Sequence, residues 1–353
     1  MLSRILPSAA LVLLAACSSS TGTAPADKPV EVRAVIVTMF EIGEDTGDVA
    51  GEFQLWKERQ KLDVRYPFAH HHDLYFNPDT GVLGMVTGMG SVNSASAVMA
   101  LALDPRFDLS HAYWLVAGIA GVDPEDASIG SAAWAEWLVD GDLAHEIDPR
   151  EIPKDWKTGY FARGTKGPND TQRPPLEGGE AFKLNTALVD WAYNMTRDVK
   201  LDDEESLAAT RAKFTNHEPA RRPPFVLKGD QLAAMTFWHG SILNDWANDW
   251  VKFWSAGEGN FVTSAMEDTG SYASLNYVHD TGKVDRNRVL VLRTASNYTM
   301  PPPGVGAAEH LLAENEGYAG LNASIEAAYR VGSVVIDEIT GNWPRYRDQI
   351  PGN

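Results

Sequence analysis

The sequence predicts a single α/β domain with three layers, in which helices cover both faces of a mixed, twisted sheet. Two observations carry this prediction. The strand candidates are near-continuous apolar runs, which is the pattern of strands buried on both faces. Segments with helical periodicity separate these runs over most of the chain, as they do in α/β proteins.

Five apolar runs have the length and composition of buried strands. They are Val32–Phe40, Gly81–Thr87, Ala112–Ile119, Phe261–Ser264 and Arg288–Ser296. The helix candidates are Val92–Leu103, Ala181–Tyr193, Ile242–Trp254, Met266–Tyr277 and Ala307–Ile339, the last with a break near 317–320. Residues 148–179 are rich in proline, glycine and charge, so we predict a long surface loop there.

Three tryptophans recur at helical spacing within one helix candidate. Trp246, Trp250 and Trp254 stand at i, i+4 and i+8, and therefore share one face of the helix. Such a stripe predicts the buried face of a helix. It leaves Trp238 and His239, just before this helix, as the aromatic residues available to a ligand.

The first residues are typical of a bacterial secretory signal. A short basic start precedes the apolar run Ala9–Ala16. This run is too short to cross a bilayer, because a spanning helix needs roughly 20 residues, but it suits a signal-peptide core. Leu14–Cys17 resembles a lipobox, in which Cys17 is lipidated and becomes the first mature residue. A plain secretory signal with an incidental cysteine is the alternative.

These signals divide the chain into three parts. Residues 1–16 are predicted to be a lipoprotein signal peptide, 17–30 a flexible tether of small polar residues, and 31–353 one folded domain. No later segment approaches the length of a membrane span. We therefore expect a periplasmic protein of the bacterial cell envelope that is held to a membrane by its N-terminal lipid.

Charge and cysteine content argue against other partners. The formal net charge of −18 is unsuited to nucleic acid, which needs a basic surface. Cys17 is the only cysteine, so the mature fold has neither a disulfide nor a thiolate metal site. The adjacent histidines 70–72 point in divergent directions and lack a paired acid at ligand spacing, so we expect no metal. No cofactor is expected either.

Small residues at two turns are the first features that point to a ligand. Gly88, Gly90 and Ser91 lie between a predicted strand and a predicted helix. Glycine lets the backbone approach a ligand closely, and the helix start offers free N–H groups to an anion or a hydroxyl. Gly118–Gly121 also follows a strand; its small residues leave room for a ligand, and tight sheet packing explains them equally well.

Two acids follow another predicted strand. Glu267 and Asp268 lie in the first turn of a helix, where the helix dipole favours negative charge. The dipole alone is a sufficient explanation for Asp268. Glu267 has a sharper use, because one carboxylate can accept hydrogen bonds from two neighbouring ribose hydroxyls.

The last predicted strand ends in Ser296 and Asn297, and three prolines follow at 301–303. Proline fits neither a strand ladder nor a helix interior, so the chain leaves this strand in a rigid loop. Ligands of α/β sheets bind at the carboxyl ends of strands. Asn297 is therefore a candidate ligand contact.

Taken in this order, these segments resemble the nucleoside phosphorylase and nucleosidase superfamily. Four longer stretches, FWHGSILNDWANDWVKFW, TSAMEDTG, LRTASNYTMPPPG and NWPRYRDQIPG, resemble the purine nucleoside permease family more closely. The resemblance covers nearly the whole mature chain. It implies a nucleoside phosphorylase-like fold and a purine nucleoside as partner. It also allows a homo-oligomer, because superfamily members form rings or dimers.

The resemblance implies a role for each of these segments on the sugar side. Met266 would pack on the ribose and Glu267 would hold its hydroxyls. Gly88, Gly90 and Ser91 would line the side from which phosphate or another nucleophile attacks.

On the base side, the resemblance places Asn297 opposite N7 and the six-position of the purine, with Ser296 beside it. Trp238 and His239 would be further base contacts. The sequence departs from the family pattern here, since many purine phosphorylases carry an aspartate where this chain has Asn297. An amide cannot supply a proton, and general-acid help is worth about 10²–10⁴ in rate. An amide suits 6-oxopurine nucleosides, such as inosine and guanosine.

A second departure concerns phosphate, which phosphorylases bind with arginine. Where many of them carry that arginine, this chain has Leu115 and Val116. Arg33, Arg59 and Arg65 are the candidates to replace it.

Nucleosidases lack this arginine and use an N-terminal glutamate to activate water. Glu41 or Glu44, just after the first strand, could take that role, with a solvated loop acid as the alternative for either. The sequence therefore predicts a lipid-anchored envelope protein that binds purine nucleosides and supports their uptake. The alternative is a phosphorylase or nucleosidase that cleaves the N-glycosidic bond of 6-oxopurine nucleosides, with Asn297 and Glu41 as catalytic residues.

Overall fold

The computed structural model describes residues 28–168, 170–314 and 316–352. The predicted signal peptide, the lipidation site Cys17 and most of the predicted tether lie outside these residues. Within the described ranges, no helix has both the length and the apolar character required to cross a bilayer.

The elements alternate along the chain as the apolar pattern predicts. The strands are β1 (Val30–Glu31), β2 (Ala34–Thr38), β3 (Val64–Tyr66), β4 (Leu74–Asn77), β5 (Val82–Val86), β6 (Phe107–Asp108), β7 (Tyr113–Val122), β8 (Ala132–Trp134), β9 (Trp137–Asp140), β10 (Ala144–Glu146), β11 (Tyr160–Ala162), β12 (Ala181–Lys183), β13 (Val226–Lys228), β14 (Asp230–Ala233), β15 (Phe261–Ala265) and β16 (Val289–Tyr298). The helices are α1 (Gln54–Arg59), α2 (Ser91–Ala102), α3 (Thr186–Thr196), α4 (Glu205–Arg211), α5 (Ser241–Trp254), α6 (Asp268–His279), α7 (Ala307–Glu314), α8 (Leu321–Gly341) and α9 (Trp343–Tyr346), with 3₁₀ turns at Pro219–Arg221 and Arg286–Arg288.

Twelve strands form one mixed sheet, which confirms the predicted three-layer α/β fold. Its main path runs β12-β9-β14-β15-β7-β2-β5-β4-β3, and β16 pairs with β7 and β8 beside that path. The strand β7 is the hub of the sheet. It pairs in parallel with β2 and β16, and antiparallel with β15 at its last two residues.

The buried core follows from this arrangement. Every residue of β2 and of β16 is buried, as near-continuous apolar strands predict. The long helix α8 packs on β16 and β7. The predicted tryptophan stripe is confirmed, because Trp246, Trp250 and Trp254 are all buried on one face of α5.

The sheet gathers several strand ends at one edge. The strands β2 and β5 run parallel to β7, so the residues that follow them emerge beside the end of β7. A register shift between Ala295 and Asn297 makes Ser296 a bulged residue of β16. A bulge turns the side chain that follows it, and here it redirects Asn297 at this edge.

One predicted helix begins later than its apolar pattern indicates. Ala181–Lys183 is not helical but forms the edge strand β12, antiparallel to β9. The reason is a helix cap: the side chain of Asn185 accepts hydrogen bonds from the backbone N–H groups of Ala187 and Leu188 at 3.2 and 3.4 Å. The predicted loop 148–179 also contains a short strand, β11, which pairs with β10.

This cap gives a test of the fold. Asn185→Ala should lower the free energy of unfolding by about 1 kcal/mol, because two N–H groups of α3 lose their acceptor. Denaturant unfolding measures the change. Asn194→Ala, at an exposed position of the same helix, is the matched control and should be neutral or slightly stabilising. Equal effects of the two substitutions would show that the cap contributes nothing.

Candidate functional site

A fully buried arginine lies at the centre of the gathered strand ends. Arg293, in the middle of β16, is 1% exposed. Its Nε donates to both carboxylate oxygens of Asp268 at 3.0 and 3.2 Å, and its Nη2 donates to Glu267 at 2.9 Å. Its Nη1 donates to the backbone carbonyl of Ile119 at 3.1 Å. The guanidinium therefore joins β16 to the start of α6 and to the exit of β7.

A third buried carboxyl group, that of Glu52, belongs to the same cluster. It is 5% exposed and comes from the loop before α1. One oxygen accepts from the backbone N–H of Met39 and the other from that of Ile119, both at 2.7 Å. Burial raises the pKa of Glu52 to about 7; Arg293 opposes this shift and the neighbouring Glu267 adds to it.

The cluster is assembled so tightly that one position requires glycine. A Cβ atom on Gly118 would lie 2.6 Å from Glu52 Oε1 and 2.7 Å from Arg293 Nη1. Both groups are held in place by the sheet, so a side chain at this position would displace them. The predicted small residues of the β7 exit thus make room for the chain's own ionic cluster.

Glu267 connects this cluster to the glycine turn. Its Oε1 accepts the backbone N–H of Gly90 at 2.9 Å, and its Oε2 accepts from Arg293 and, at 3.3 Å, from the N–H of Met266. A carboxylate offers about four acceptor positions. Three donors use three of them, so one acceptor position of the Glu267 carboxylate remains open.

The close packing of two helices sets this geometry. The hydroxyl of Ser94, in α2, donates to the backbone carbonyl of Glu267 at 3.0 Å. A Cβ on Gly270, in α6, would lie 2.4 Å from the carbonyl oxygen of Ser91. Small residues therefore bring the first turns of α2 and α6 into contact.

The structure places the other predicted sugar-side residues around this contact. Gly88 and Gly90 have φ of +84° and +89°, the left-handed region that favours glycine. Ser91 is the first residue of α2, and Met266 is half-buried next to Glu267. The Gly90 N–H group, predicted to face an external anion, is directed at the carboxylate of Glu267.

Asn297 lies at the same edge, next to the exit of β7. Its register partner is Gly121. The hydroxyl of Ser296 donates to Asn297 Oδ1 at 2.9 Å and also lies 3.1 Å from the carbonyl oxygen of Ala120. The amide oxygen accepts from Ser296, and Nδ2 donates to the backbone carbonyl of Tyr298 at 3.4 Å. Ser296 therefore positions Asn297 and is itself fully buried.

A second polar cluster lies beside Asn297. His310 Nδ1 is 3.0 Å from His239 Nε2, and the two imidazole rings are nearly parallel. Glu314 Oε2 is 3.8 Å from His239 Nδ1. Burial raises the pKa of Glu314 to about 7, while contact with Asn297 lowers it. Burial, followed by the charge on His310, lowers the pKa of His239 to about 4.

These three residues are the one group of potential metal ligands among the described ranges whose ligand atoms lie within 4.8 Å of one another. The geometry does not suit a cation. The rings of His239 and His310 stack at an interplanar angle of 12°. Their facing nitrogens are at hydrogen-bond distance, so one proton lies between them and the lone pairs do not converge on a shared point.

Two predicted site residues have other surroundings. Trp238 packs edge-on against Trp246 and against Phe261, in the apolar cluster beneath α5. The carboxylate of Glu41 accepts backbone N–H groups from residues 42, 51, 53 and 54. Glu41 thereby fixes the loop that carries Glu52, and Glu44 is exposed.

The candidate phosphate-binding arginines lie elsewhere. Arg33 donates to the carbonyl of Thr340. Arg59 forms a bidentate pair with Glu326, and Arg65 pairs with Asp73.

Sequence reasoning missed the roles of Glu52, Arg293 and Glu314. A signal for Arg293 was present, because a charged residue in the apolar run VLVLRTAS must find partners when that strand is buried. Glu52 and Glu314 carried no such signal, because each follows or ends a segment that is rich in other acids. Their burial depends on how distant loops fold onto the sheet.

Comparison with known proteins adds the family. A family model described as purine nucleoside permease (NUP) matches residues 31–351. The purine nucleoside permease of Candida albicans is 30% identical over 316 residues, which are 89% of this chain and 76% of that protein. The probable purine nucleoside permease of Schizosaccharomyces pombe is 31% identical over 297 residues, 80% of this chain and 81% of that protein.

Solved structures share the fold at low sequence identity. The futalosine hydrolase of Helicobacter pylori superposes with a TM-score of 0.52 at 14% identity, over 88% of this chain and 98% of that one. The 5′-methylthioadenosine/S-adenosylhomocysteine nucleosidase of Neisseria meningitidis gives a TM-score of 0.50 at 16% identity, over 88% and 99%. The predicted resemblance in fold is confirmed.

The buried cluster predicts a large, pH-dependent loss of stability. Arg293→Met should lower the free energy of unfolding by about 3–5 kcal/mol, because it leaves buried carboxylates without a cation. Ionising Glu52, whose pKa is raised in the folded state, costs stability as pH rises from its unfolded value of 4.5 through about 7. Without the guanidinium this cost grows, so the loss should be larger at about pH 8 than at about pH 5.

The matched control is Arg330→Met. Arg330 pairs with Asp202 and Glu326 at the surface, where an ion pair contributes about 0–1 kcal/mol. Denaturant unfolding of both variants at about pH 5 and about pH 8 measures the loss of unfolding free energy. A loss for Arg293→Met no greater than that of the control would show that the cluster is not held by this charge.

Proposed function

This chain belongs to the purine nucleoside permease family, and from that premise we propose that it binds a purine nucleoside at the gathered strand ends and hydrolyses its N-glycosidic bond. The observation that carries this is the buried carboxyl group of Glu52, held by two backbone N–H groups beside Arg293 and Glu267. A buried acid whose pKa is raised, next to other charged groups at strand ends, is a functional-site signal.

Glu52 is the general base in this mechanism. A base works best when its pKa lies near the operating pH, and burial raises the pKa of Glu52 to about 7. The N–H groups of Met39 and Ile119 fix the orientation of the carboxylate. One lone pair on each oxygen remains, and from there Glu52 accepts a proton from a water molecule that attacks C1′ of the ribose.

The other charged residues stabilise the positive charge that develops on the ribose as the bond to the base breaks. Three carboxylates, those of Glu52, Glu267 and Asp268, surround the single guanidinium of Arg293. With all four groups ionised, the cluster has a net charge of −2. A negative site fixed in advance favours an oxocarbenium-like transition state over a neutral ground state. Glu267 also takes a ribose hydroxyl at its open acceptor position.

The same charge favours water over phosphate as the nucleophile. A phosphate dianion would be repelled by the anionic cluster, and the Gly90 N–H group that could receive it donates to Glu267. Arg33, Arg59 and Arg65 are engaged elsewhere on the molecule. Hydrolysis therefore fits this site better than phosphorolysis.

Asn297 supports recognition of a 6-oxopurine. Ser296 holds its amide oxygen, and Nδ2 donates to the carbonyl oxygen of Tyr298 over a long distance of 3.4 Å, a bond that an acceptor atom of the base can replace. The carbonyl oxygen of inosine or guanosine, which lies on the same edge as N7, is such an acceptor. Adenosine has an amino group in place of this carbonyl oxygen. An amino group is a donor, so it would face the Nδ2–H of Asn297 less favourably.

Nucleoside uptake is the second candidate function, and the family description as permease favours it. In this version the chain captures the nucleoside at the same cleft and delivers it to other proteins. The lipobox-like Leu14–Cys17 would hold it to a membrane in the cell envelope. Hydrolysis and capture share Asn297 and Glu267 and differ in whether Glu52 acts on water.

The two candidates separate on release of free base. We expect the protein to release base from inosine and guanosine at equal rates with and without phosphate. Glu52→Gln should lower the rate by about 10²–10⁴, because the general base is lost. The new NH2 group must face the N–H of Met39 or Ile119, so calorimetry with inosine and denaturant unfolding check that the variant is folded and still binds. Glu205→Gln, at an exposed position of α4, is the control and should leave the rate unchanged.

Two results would contradict hydrolysis. Release that requires phosphate would make the protein a phosphorylase. Tight nucleoside binding without release, in the unmutated protein, would leave the capture function alone.

A further inference from the structure

Cleavage of a purine nucleoside needs a proton at the base as well as a nucleophile at the sugar. A purine leaves poorly as an anion, and general-acid help is worth about 10²–10⁴ in rate. Asn297 has no proton to give. The chain therefore needs an acid elsewhere on the base side, or it must do without one.

The chain provides a buried carboxyl group next to Asn297. After β16 the proline loop leads into α7, and the last residue of that helix, Glu314, lies against the Asn297 side chain. The Glu314 side chain is 12% exposed. The side chain of His239, which comes from the segment before α5 and lies beside Glu314, is 1% exposed. Two separate segments thus bring polar groups together beside Asn297: Glu314 contacts the amide, and His239 lies next to Glu314.

Two of these polar atoms lack a protein partner. Glu314 Oε2 and His239 Nδ1 are both buried, and neither has a hydrogen-bond partner among the described residues. They lie 3.8 Å apart, so a single atom at ordinary hydrogen-bond distance from each could contact both. Buried polar groups are rarely left unpaired unless a ligand or water completes them. A ring nitrogen of a purine is such an atom.

We propose that Glu314 is the general acid that protonates N7 of the leaving purine, with Asn297 orienting the base and His239 completing the contact; this inference rests on the proposed function.

The charges around Glu314 suit an acid at neutral pH. Burial raises the pKa of Glu314 to about 7. His239 faces it from the segment before α5, with a pKa lowered to about 4 mainly by burial. His310, on α7 itself, has a pKa lowered by burial and by Lys213. The Tyr318 hydroxyl has a pKa raised by burial and by Glu314. These neighbours are neutral near pH 7, so no cation forces the carboxyl group to ionise.

The step balances without any further reactant. Water oxygen forms a bond to C1′ and loses one proton to the Glu52 carboxylate. The C1′–N9 bond breaks, and its electron pair goes to the purine. The proton of Glu314 passes to N7, so the base leaves neutral and the sugar leaves as free ribose. Glu52 then returns its proton to solvent and Glu314 recovers one.

The two carboxyl groups therefore have opposite requirements. Glu52 must be ionised and Glu314 protonated, and burial places both pKa values near 7. The rate should rise with pH on one limb and fall on the other, giving a narrow bell-shaped profile centred near neutrality. Each limb belongs to one residue, so each can be removed separately.

The first test measures base release from inosine against pH. Glu314→Gln should lower the rate by about 10²–10⁴ and remove the alkaline limb while keeping the acidic one. Glu309→Gln, exposed on the same helix, should change neither. With 4-nitrophenyl riboside, whose leaving group needs no proton, Glu314→Gln should lose less than about threefold. An equal loss on both substrates would mean a merely structural role and would overturn the assignment.

The second test does not depend on turnover. In the Glu52→Gln background, calorimetry compares inosine with 9-deazainosine, a C-nucleoside that cannot be cleaved and whose N7 carries a hydrogen. Inosine accepts from protonated Glu314 and should bind about tenfold more weakly at about pH 8 than at about pH 6. The deaza analogue donates to ionised Glu314 and should show the opposite trend. Adding Glu314→Gln should abolish both trends.

The two proposals can fail separately. If the unmutated protein releases no base but the opposite pH trends appear, hydrolysis is wrong and Glu314 still contacts N7; the deaza arm can also be run in the unmutated protein. If base is released but Glu314→Gln changes neither the alkaline limb of the rate nor the pH dependence of binding, Glu314 is not the general acid. Loss of activity in a chelator with recovery on adding Zn²⁺ would assign His239, His310 and Glu314 to a metal instead.

Discussion

The edge of the sheet where the strand ends meet depends on charge compensation around one buried guanidinium, that of Arg293. Arg293 enters the core on a strand that is otherwise built for burial, and its donors reach Asp268, Glu267 and the carbonyl of Ile119. An uncompensated charge at that depth would cost several kcal/mol. The carboxylates of Asp268 and Glu267 must therefore stay next to the guanidinium of Arg293, and this fixes the chain segments that carry them. The nucleophile side of the site is rigid because its charges must stay together.

Several glycines occur where side chains or helices of the ionic cluster must approach each other closely. Gly118 leaves space for Glu52 and Arg293, and Gly270 lets α6 meet α2 so that Gly90 reaches Glu267. These glycines serve contacts within the protein. A glycine turn has the same backbone geometry whether its N–H groups bind an external anion or a carboxylate of the same chain. Only the position of Glu267 shows that the second case applies here.

The sequence was sufficient for the fold because buried strands and amphipathic helices leave periodic signals. It also predicted that Glu267 and Asn297 lie at the same edge of the sheet, since each is near the end of a strand and strand ends converge. It pointed to Glu41 in place of Glu52, although both lie in one loop, because backbone hydrogen bonds decide which acid turns inward. Glu314 was beyond sequence reasoning, since its role depends on a proline loop that returns α7 to the end of β16. Local pattern carries no information on such a return.

The two sides of the cleft differ in how firmly they are built. The nucleophile side is part of the central sheet, with Glu52, Arg293 and Glu267 fully buried. The base side depends on α7, and no residue of that helix is fully buried. Elements with little buried apolar area open at the lowest free-energy cost. Asn297 and Glu267 are 6% and 4% exposed, so contact with any external ligand would require a neighbouring element to move. α7 meets this edge through Glu314, whereas the ionic cluster belongs to the sheet and the start of α6. Movement of α7 would therefore leave Arg293 and its partners together.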